Sequence, residues 1–156
     1  MAAATRDDIP DLARVKTLVA RRNYAAAHAG ADLNRWLEEH CGEKHYRYRV
    51  GRSGYDVLVA RDRDGEIVGV ATMRQRGKRA DMSGLYVLYP GQGIGTELVA
   101  ARERLARERG CTRVRASVWR TNERAKAFVV GRGFERVGGY RESTVGVMVE
   151  HYERDL

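Results

Sequence analysis

Three glycines at alternate positions, Gly91, Gly93 and Gly95, stand between a strand pattern that ends near Leu88 and a helix pattern that begins near Ile94. Glycine lets the backbone turn sharply with no Cβ in the way, so successive N–H groups converge on one point and form an anion-binding nest. The helix that starts there adds unsatisfied N–H groups and the positive end of its dipole. Strand, glycine turn and helix together predict a site for the pyrophosphate of a nucleotide-like group, with a ligand-free tight turn as the plainer alternative. A Rossmann site would need a longer glycine spacing and a downstream acidic ribose ligand, and a P-loop would need a Gly-Lys-Ser/Thr ending; the chain has neither.

Other side chains that could do chemistry are weighed against simpler roles. His40, Cys41 and His45 lie close in sequence, but their spacing fits no structural zinc pattern, and two solvated histidines in a loop are expected instead. His151, in the last strand pattern, could face a cleft or water. Arg47, Arg49 and Arg52, with aromatic side chains between them, could hold phosphates and stack bases. A nucleic-acid partner is the weaker reading; the 29 basic side chains, of which only Lys16, Lys44, Lys78 and Lys126 are lysine, are scattered along the chain and not blocked into a tail, which reads first as surface composition. The net charge of +8 suits an anionic partner such as an acidic substrate or a polyphosphate cofactor. Cys41 and Cys111 are the only cysteines, so no disulfide framework is read; both are expected reduced, Cys111 as a small buried thiol.

The elements that must position these residues follow from periodicity. At 156 residues and 43% hydrophobic the chain can close one core, so residues 1–156 are expected to form one domain. Ile9, Leu12, Val15, Leu18 and Val19 recur at helical spacing after Asp7 and Asp8, and a second helix is expected over residues 31–40. Residues 55–60 and 66–73 predict two strands joined through Asp64-Gly65, a pair that favours a tight hairpin. Residues 81–88 predict another strand, and Ile94, Leu98, Ala101 and Leu105 a helix closed by Gly110. Val114, Ala116 and Val118 alternate as a further, parallel strand. A helix over residues 122–130 and closing strands near residues 134–140 and 145–152 complete the order. No apolar run approaches the roughly 18 residues of a membrane span, and the N-terminus is unlike a signal peptide, so a cytoplasmic location with no membrane partner is expected.

The segment Leu85-Tyr86-Val87-Leu88-Tyr89-Pro90-Gly91-Gln92-Gly93-Ile94-Gly95-Thr96-Glu97-Leu98 resembles the acetyl-CoA motif of the GNAT N-acetyltransferase superfamily. Asn122 to Phe128, followed by Gly133-Phe134-Glu135, is similar to that family's later motif, and Ala4 to Asp8 resembles its first strand-to-helix junction. The resemblance implies an α/β (α+β) domain whose mixed central sheet is splayed at the acyl-CoA site and flanked by helices. It implies acetyl-CoA as cofactor, with backbone groups of Val87, Leu88 and Tyr89 along the pantetheine arm. Gln92, Gly93, Ile94, Gly95 and Thr96 would hold the pyrophosphate, with Asn122 and Phe128 completing that side. For the last two, a helix cap and a core contact are the plainer roles. The implied function is transfer of an acetyl group to a primary amine of a small molecule or peptide by direct attack on the thioester; the alternative is a non-catalytic acyl-CoA binding or sensing domain. Family members often dimerise, and a homodimer or a monomer is compatible with this chain.

Two departures bear on mechanism. Pro90 stands where the motif usually has Arg or Gln, in a loop about two residues short, and Val129 stands where a Tyr commonly protonates the departing thiolate. Tyr140 and Tyr89 are the candidate replacement acids. The amine must lose a proton before it attacks, and Asp81, near where some family members keep a general base, is the candidate, with Glu66 second. Tyr24, Trp36, Tyr46, Tyr48 and Tyr140 are the expected walls of the acceptor cleft. An acceptor bearing a carboxylate or phosphate near its amine suits the positive balance better than a polyamine.

Overall fold

The structure is a computed structural model that describes residues 1–25 and 30–156. After the short strand β1 (Ala2–Ala3) and a turn of 3-10 helix (Arg6–Asp8), α1 spans Ile9–Tyr24. Its start is tied down by Asp8, whose buried carboxylate accepts the Thr5 N–H at 2.9 Å and pairs with Arg61 at 2.6 Å. Two further helices follow, α2 (Gly30–Cys41) and α3 (Glu43–Arg49). The hairpin of β2 (Tyr55–Arg61) and β3 (Ile67–Arg76) turns through Gly65 at φ 82°, as Asp64-Gly65 predicts. Next come β4 (Arg79–Val87), α4 (Ile94–Glu108), β5 (Arg113–Trp119), α5 (Glu123–Gly131), β6 (Glu135–Arg141) and β7 (Met148–Asp155).

The strands form one mixed sheet in the order β1-β2-β3-β4-β5-β7-β6, in which only β4 and β5 are parallel. Alternation along β2 assigns the two faces. Val57 and Val59 pack with Leu12 and Val15 of α1, whereas Ala60 packs with Leu98 of α4. β3, covered by helices on both sides, is buried from Ile67 to Met73. Gly69 on β3 is what allows α4 so close, since a Cβ there would lie 2.8 Å from the Leu98 side chain and 3.0 Å from that of Ile94.

One helix differs from expectation. The basic, aromatic stretch at residues 45–49 forms α3, whose apolar side is little more than the buried Tyr46, too short a pattern to announce itself by period. His40 and His45 therefore sit at the end of α2 and on α3, not in a solvated loop, and the predicted pair of solvated histidines is corrected accordingly. Cys41 and Cys111 are buried and free.

Candidate active site

β4 and β5 pair only from Arg79 with Arg113 to Met82 with Ala116. Beyond that point β4 carries a bulge, where Thr72 of β3 faces Gly84 and the next residue, Met73, faces Met82. Arg102, buried on α4, donates from one Nη1 to the Gly84 C=O at 2.6 Å and the Thr72 C=O at 3.1 Å. The bulge is thus held from below, and the strands part. A cavity of about 740 Å³ opens between them, reaching from Arg22 and Tyr24 at the end of α1 to Phe128 of α5. At its far end Gly91 and Gly93 adopt φ of 86° and 79°, with open space where a Cβ would lie. The first hydrogen bond of α4 runs from Glu97 N–H to Gly93 C=O at 3.0 Å, so the N–H groups of Ile94, Gly95 and Thr96 have no helical partner. Arg124 lines the same cavity, and Arg132 reaches the Thr96 hydroxyl at 3.3 Å. This is an anion cradle built from backbone donors and flanked by guanidinium groups.

A second cavity, about 910 Å³, lies on the face carrying α1, α2 and α3. Tyr24, Met82, Ser83, Tyr86 and Ser117 line both cavities, so the two meet at the splay. On this second side the Ser117 hydroxyl is 2.7 Å from His151 Nδ1, and the His151 ring lies 5.6 Å from that of Tyr140. Burial, with Arg115 adding to it, holds the His151 pKa below its ordinary value, while Asp81 pulls the other way. Tyr140 is held above its usual value by burial and by Glu142, so its hydroxyl keeps its proton. Asp81 has both oxygens engaged: Oδ1 accepts from Arg79 Nε at 2.7 Å, and Oδ2 meets Arg76 Nε at 3.0 Å. Deeper in, buried Lys16 donates to the His40 C=O at 2.6 Å and lies 3.2 Å from His45 Nε2. Burial brings the Lys16 pKa down to about 8 and, with Lys16 beside it, keeps His45 neutral.

The family model for the GNAT acetyltransferases matches residues 22–134. The chain belongs to the GNAT acetyltransferase family. Its members are acetyltransferases with acetyl-CoA as acyl donor, so the enzyme class and the cofactor expected from the sequence stand. An aminoglycoside N(6')-acetyltransferase type 1 from Klebsiella aerogenes is 35% identical over 95 residues, 54% of this chain and 62% of that protein, so this chain spans less than two thirds of that relative's length. An uncharacterized N-acetyltransferase from Archaeoglobus fulgidus is 27% identical over 142 residues, 85% of this chain and 90% of that one. In fold the chain is similar to the PaiA N-acetyltransferase of Thermoplasma acidophilum, solved with coenzyme A, with a TM-score of 0.82 and 19% identity over 100% of both chains.

As a GNAT domain, the molecule distributes its expected site residues unevenly. Val87, Gly93, Gly95, Thr96, Asn122 and Phe128 line the first cavity, whereas Leu88, Tyr89, Gln92 and Ile94 do not. The Leu88 N–H donates to the Val68 C=O and its own C=O accepts from Arg22, and Ile94 packs beneath the sheet. Asn122 does cap α5, accepting the Ala125 N–H at 3.1 Å. Val129, largely buried, lines the first cavity where the family's tyrosine acid usually stands, and a valine has no proton to donate there. Asp81 and Tyr140 share the second cavity with His151, while Glu66 and Tyr89 line neither. Of the expected cleft walls, Tyr24, Trp36 and Tyr140 are in place. Tyr46 is instead core, and Tyr48 points to solvent, its place taken by Tyr55. Arg22, which donates to the Val87 and Leu88 carbonyls at 2.9 and 2.8 Å, carried no sequence signal at all. No helix among the described residues is long and apolar enough to cross a membrane.

Proposed function

We propose that residues 1–156 form a single N-acetyltransferase domain that moves an acetyl group from acetyl-CoA to the amine of a small molecule or peptide by direct attack on the thioester. The observation that carries it is the meeting of two cavities at the β4–β5 splay: one ends in an anion cradle, the other in titratable groups. A domain that only sensed acyl-CoA would have no need of the second. The cradle fits the cofactor, because its glycines leave room for a pyrophosphate at the free N–H groups of Ile94, Gly95 and Thr96. When bound, acetyl-CoA supplies an activated acetyl thioester.

The chain's own residues handle the protons. Asp81 lies in the acceptor cavity, as a base must, but its oxygens are engaged by Arg76 and Arg79, which favours His151 as the group that takes the ammonium proton. His151 is neutral at pH 7 and hydrogen-bonded to Ser117 where the cavities meet, and Asp81 favours its protonated form electrostatically. Tyr140, protonated beside it, is the candidate acid in place of the missing family tyrosine.

Calorimetric titration of acetyl-CoA into wild type and Gly93→Asp tests the cradle. Position 93 has φ 79°, which aspartate tolerates better than most side chains, and the variant sets a carboxylate where the pyrophosphate would sit. Wild-type binding that falls by about a hundredfold or more in the variant is the expected outcome. Equal binding by both proteins, or none by wild type, would overturn the reading.

A further inference from the structure

We propose that the second cavity selects an amine that also carries an oxyanion, a carboxylate or a phosphate, and that Arg49 of α3 and Arg74 of β3 form the clamp that holds it. This rests on reading that cavity as the acceptor side of an acetyltransferase. Its lining includes seven Lys or Arg side chains against three carboxylates. Each carboxylate is already engaged. Asp81 is held by Arg76 and Arg79; Glu142 accepts the N–H groups of Thr144 and Val145 at 3.0 and 2.7 Å; and Glu39 accepts the Thr144 hydroxyl at 3.2 Å.

Among the cations, Arg115 is tied to Glu153 at 2.5 Å and Arg141 to the Gly146 C=O at 2.6 Å. Arg49 and Arg74 differ. Neither has a carboxylate within 4.0 Å among the described residues. Their guanidinium carbons lie 5.4 and 5.3 Å from the centre of the same Tyr55 ring, and the two side chains line the same cavity close enough to repel each other. Arg49 is oriented by its own bond to the His45 C=O at 3.0 Å, and both side chains are half-buried. Lys16, near enough to Arg49 to feel its charge, adds a third positive group.

Like charges gathered in a partly desolvated cleft repel one another, and an oxyanion between them would relieve that repulsion. Guanidinium presents a planar fork that matches the paired oxygens of carboxylate or phosphate. The cavity's field attracts such an acceptor and opposes a polycation. Acceptor choice is thereby placed on α3 and β3, away from the proton-handling pair of His151 and Tyr140.

The test measures initial rates of coenzyme A thiol release with L-glutamate, O-phospho-L-serine, L-glutamine, spermidine and kanamycin, for wild type, Arg74→Gln and Arg49→Gln. The expected result is a kcat/KM for glutamate or phosphoserine about tenfold or more above that for glutamine, with the better of the two reporting whether carboxylate or phosphate is meant. Arg74→Gln should raise KM for that acceptor about tenfold or more, with kcat within about twofold and KM for acetyl-CoA unchanged. The Arg74 side chain makes no hydrogen bond among the described residues, so this variant is expected to fold, and Arg49→Gln should show the same KM effect. Preference for spermidine or kanamycin, or an unchanged KM in both variants, overturns the clamp while leaving acetyl transfer intact. Should none of the five amines be turned over, calorimetry with N-acetyl-L-glutamate decides: binding by wild type that Arg74→Gln loses supports the clamp, and no wild-type binding rejects it.

Discussion

Proton handling at the level of single residues turns on which group in the acceptor cavity is free to accept. Asp81 and His151 face the same space, but one has its oxygens committed to guanidinium groups and the other is an imidazole held neutral by burial. A base whose pKa lies below the ordinary histidine value of 6.5 remains competent as the solution becomes mildly acidic and fails only when it is protonated. The acidic limb of kcat/KM is therefore expected below pH 6.5 and absent from the residual activity of His151→Ala. Removing the carboxylate that favours the imidazolium form should move the limb lower still in Asp81→Asn, with activity retained. Loss of turnover in Asp81→Asn, with the limb unmoved in His151→Ala, would return the base to Asp81. Tyr140 keeps its proton at neutral pH, which suits a donor, whereas Val129, at the family's usual acid position beside the first cavity, has no proton to give.

At the scale of elements, the site depends on where β4 leaves β5. A bulge opposite Thr72 and Met73 turns β4 aside, and Arg102 secures it by satisfying two carbonyls from within the domain. Burial opposes the guanidinium's charge, so the bulge is held by a side chain that is itself expensive to bury. Arg102→Met keeps much of the side chain's length but leaves the Gly84 and Thr72 carbonyls unsatisfied. It should lose about 2–4 kcal/mol of unfolding free energy, measured by urea denaturation, and weaken acetyl-CoA binding as the splay relaxes. A variant as stable as wild type would show that the bulge holds itself. Gly69 plays the complementary part, since a Cβ there would crowd Leu98 and Ile94 of α4, whose first turn forms the anion cradle.

For the molecule as a whole, the buried cation at Lys16 links the acceptor cavity to stability. Lys16 is held among α1, α2 and α3 by the His40 C=O and His45 Nε2. Its pKa is about 8 in the folded protein against 10.5 for a free lysine. Below pH 8 both states are protonated, and the fold bears the full penalty of a desolvated ammonium. Between pH 8 and 10.5 the unfolded chain binds more protons than the folded one, so this contribution to stability rises with pH, by about 3 kcal/mol at most. Urea midpoints at pH 7 and pH 10, compared between wild type and Lys16→Met, isolate the effect: the variant should lack the rise. Equal pH dependence in the two proteins would mean that Lys16 titrates as a solvated lysine does.

The sequence by itself determined what short-range physics controls. The glycine turn was legible because Gly91 and Gly93 supply the positive φ angles at which the backbone turns, and the long helices and the Asp64-Gly65 hairpin were legible because their apolar periods and turn pair are strong. Family membership followed from two motifs in order. Tertiary structure alone decided what lies opposite what. Tyr46 and Tyr48 are two residues apart, yet helical geometry sends one into the core and the other to solvent, while Tyr55 comes from a later strand to line the cavity. Arg22, Arg49, Arg74 and Arg102 are ordinary arginines in a chain rich in them. Their roles come from partners on other elements: Arg102 reaches residues 18 and 30 positions away and Arg22 a carbonyl 66 positions away. No local pattern encodes a contact at that separation, because burial and the loss of competing water arise only once the sheet and its helices have closed around it.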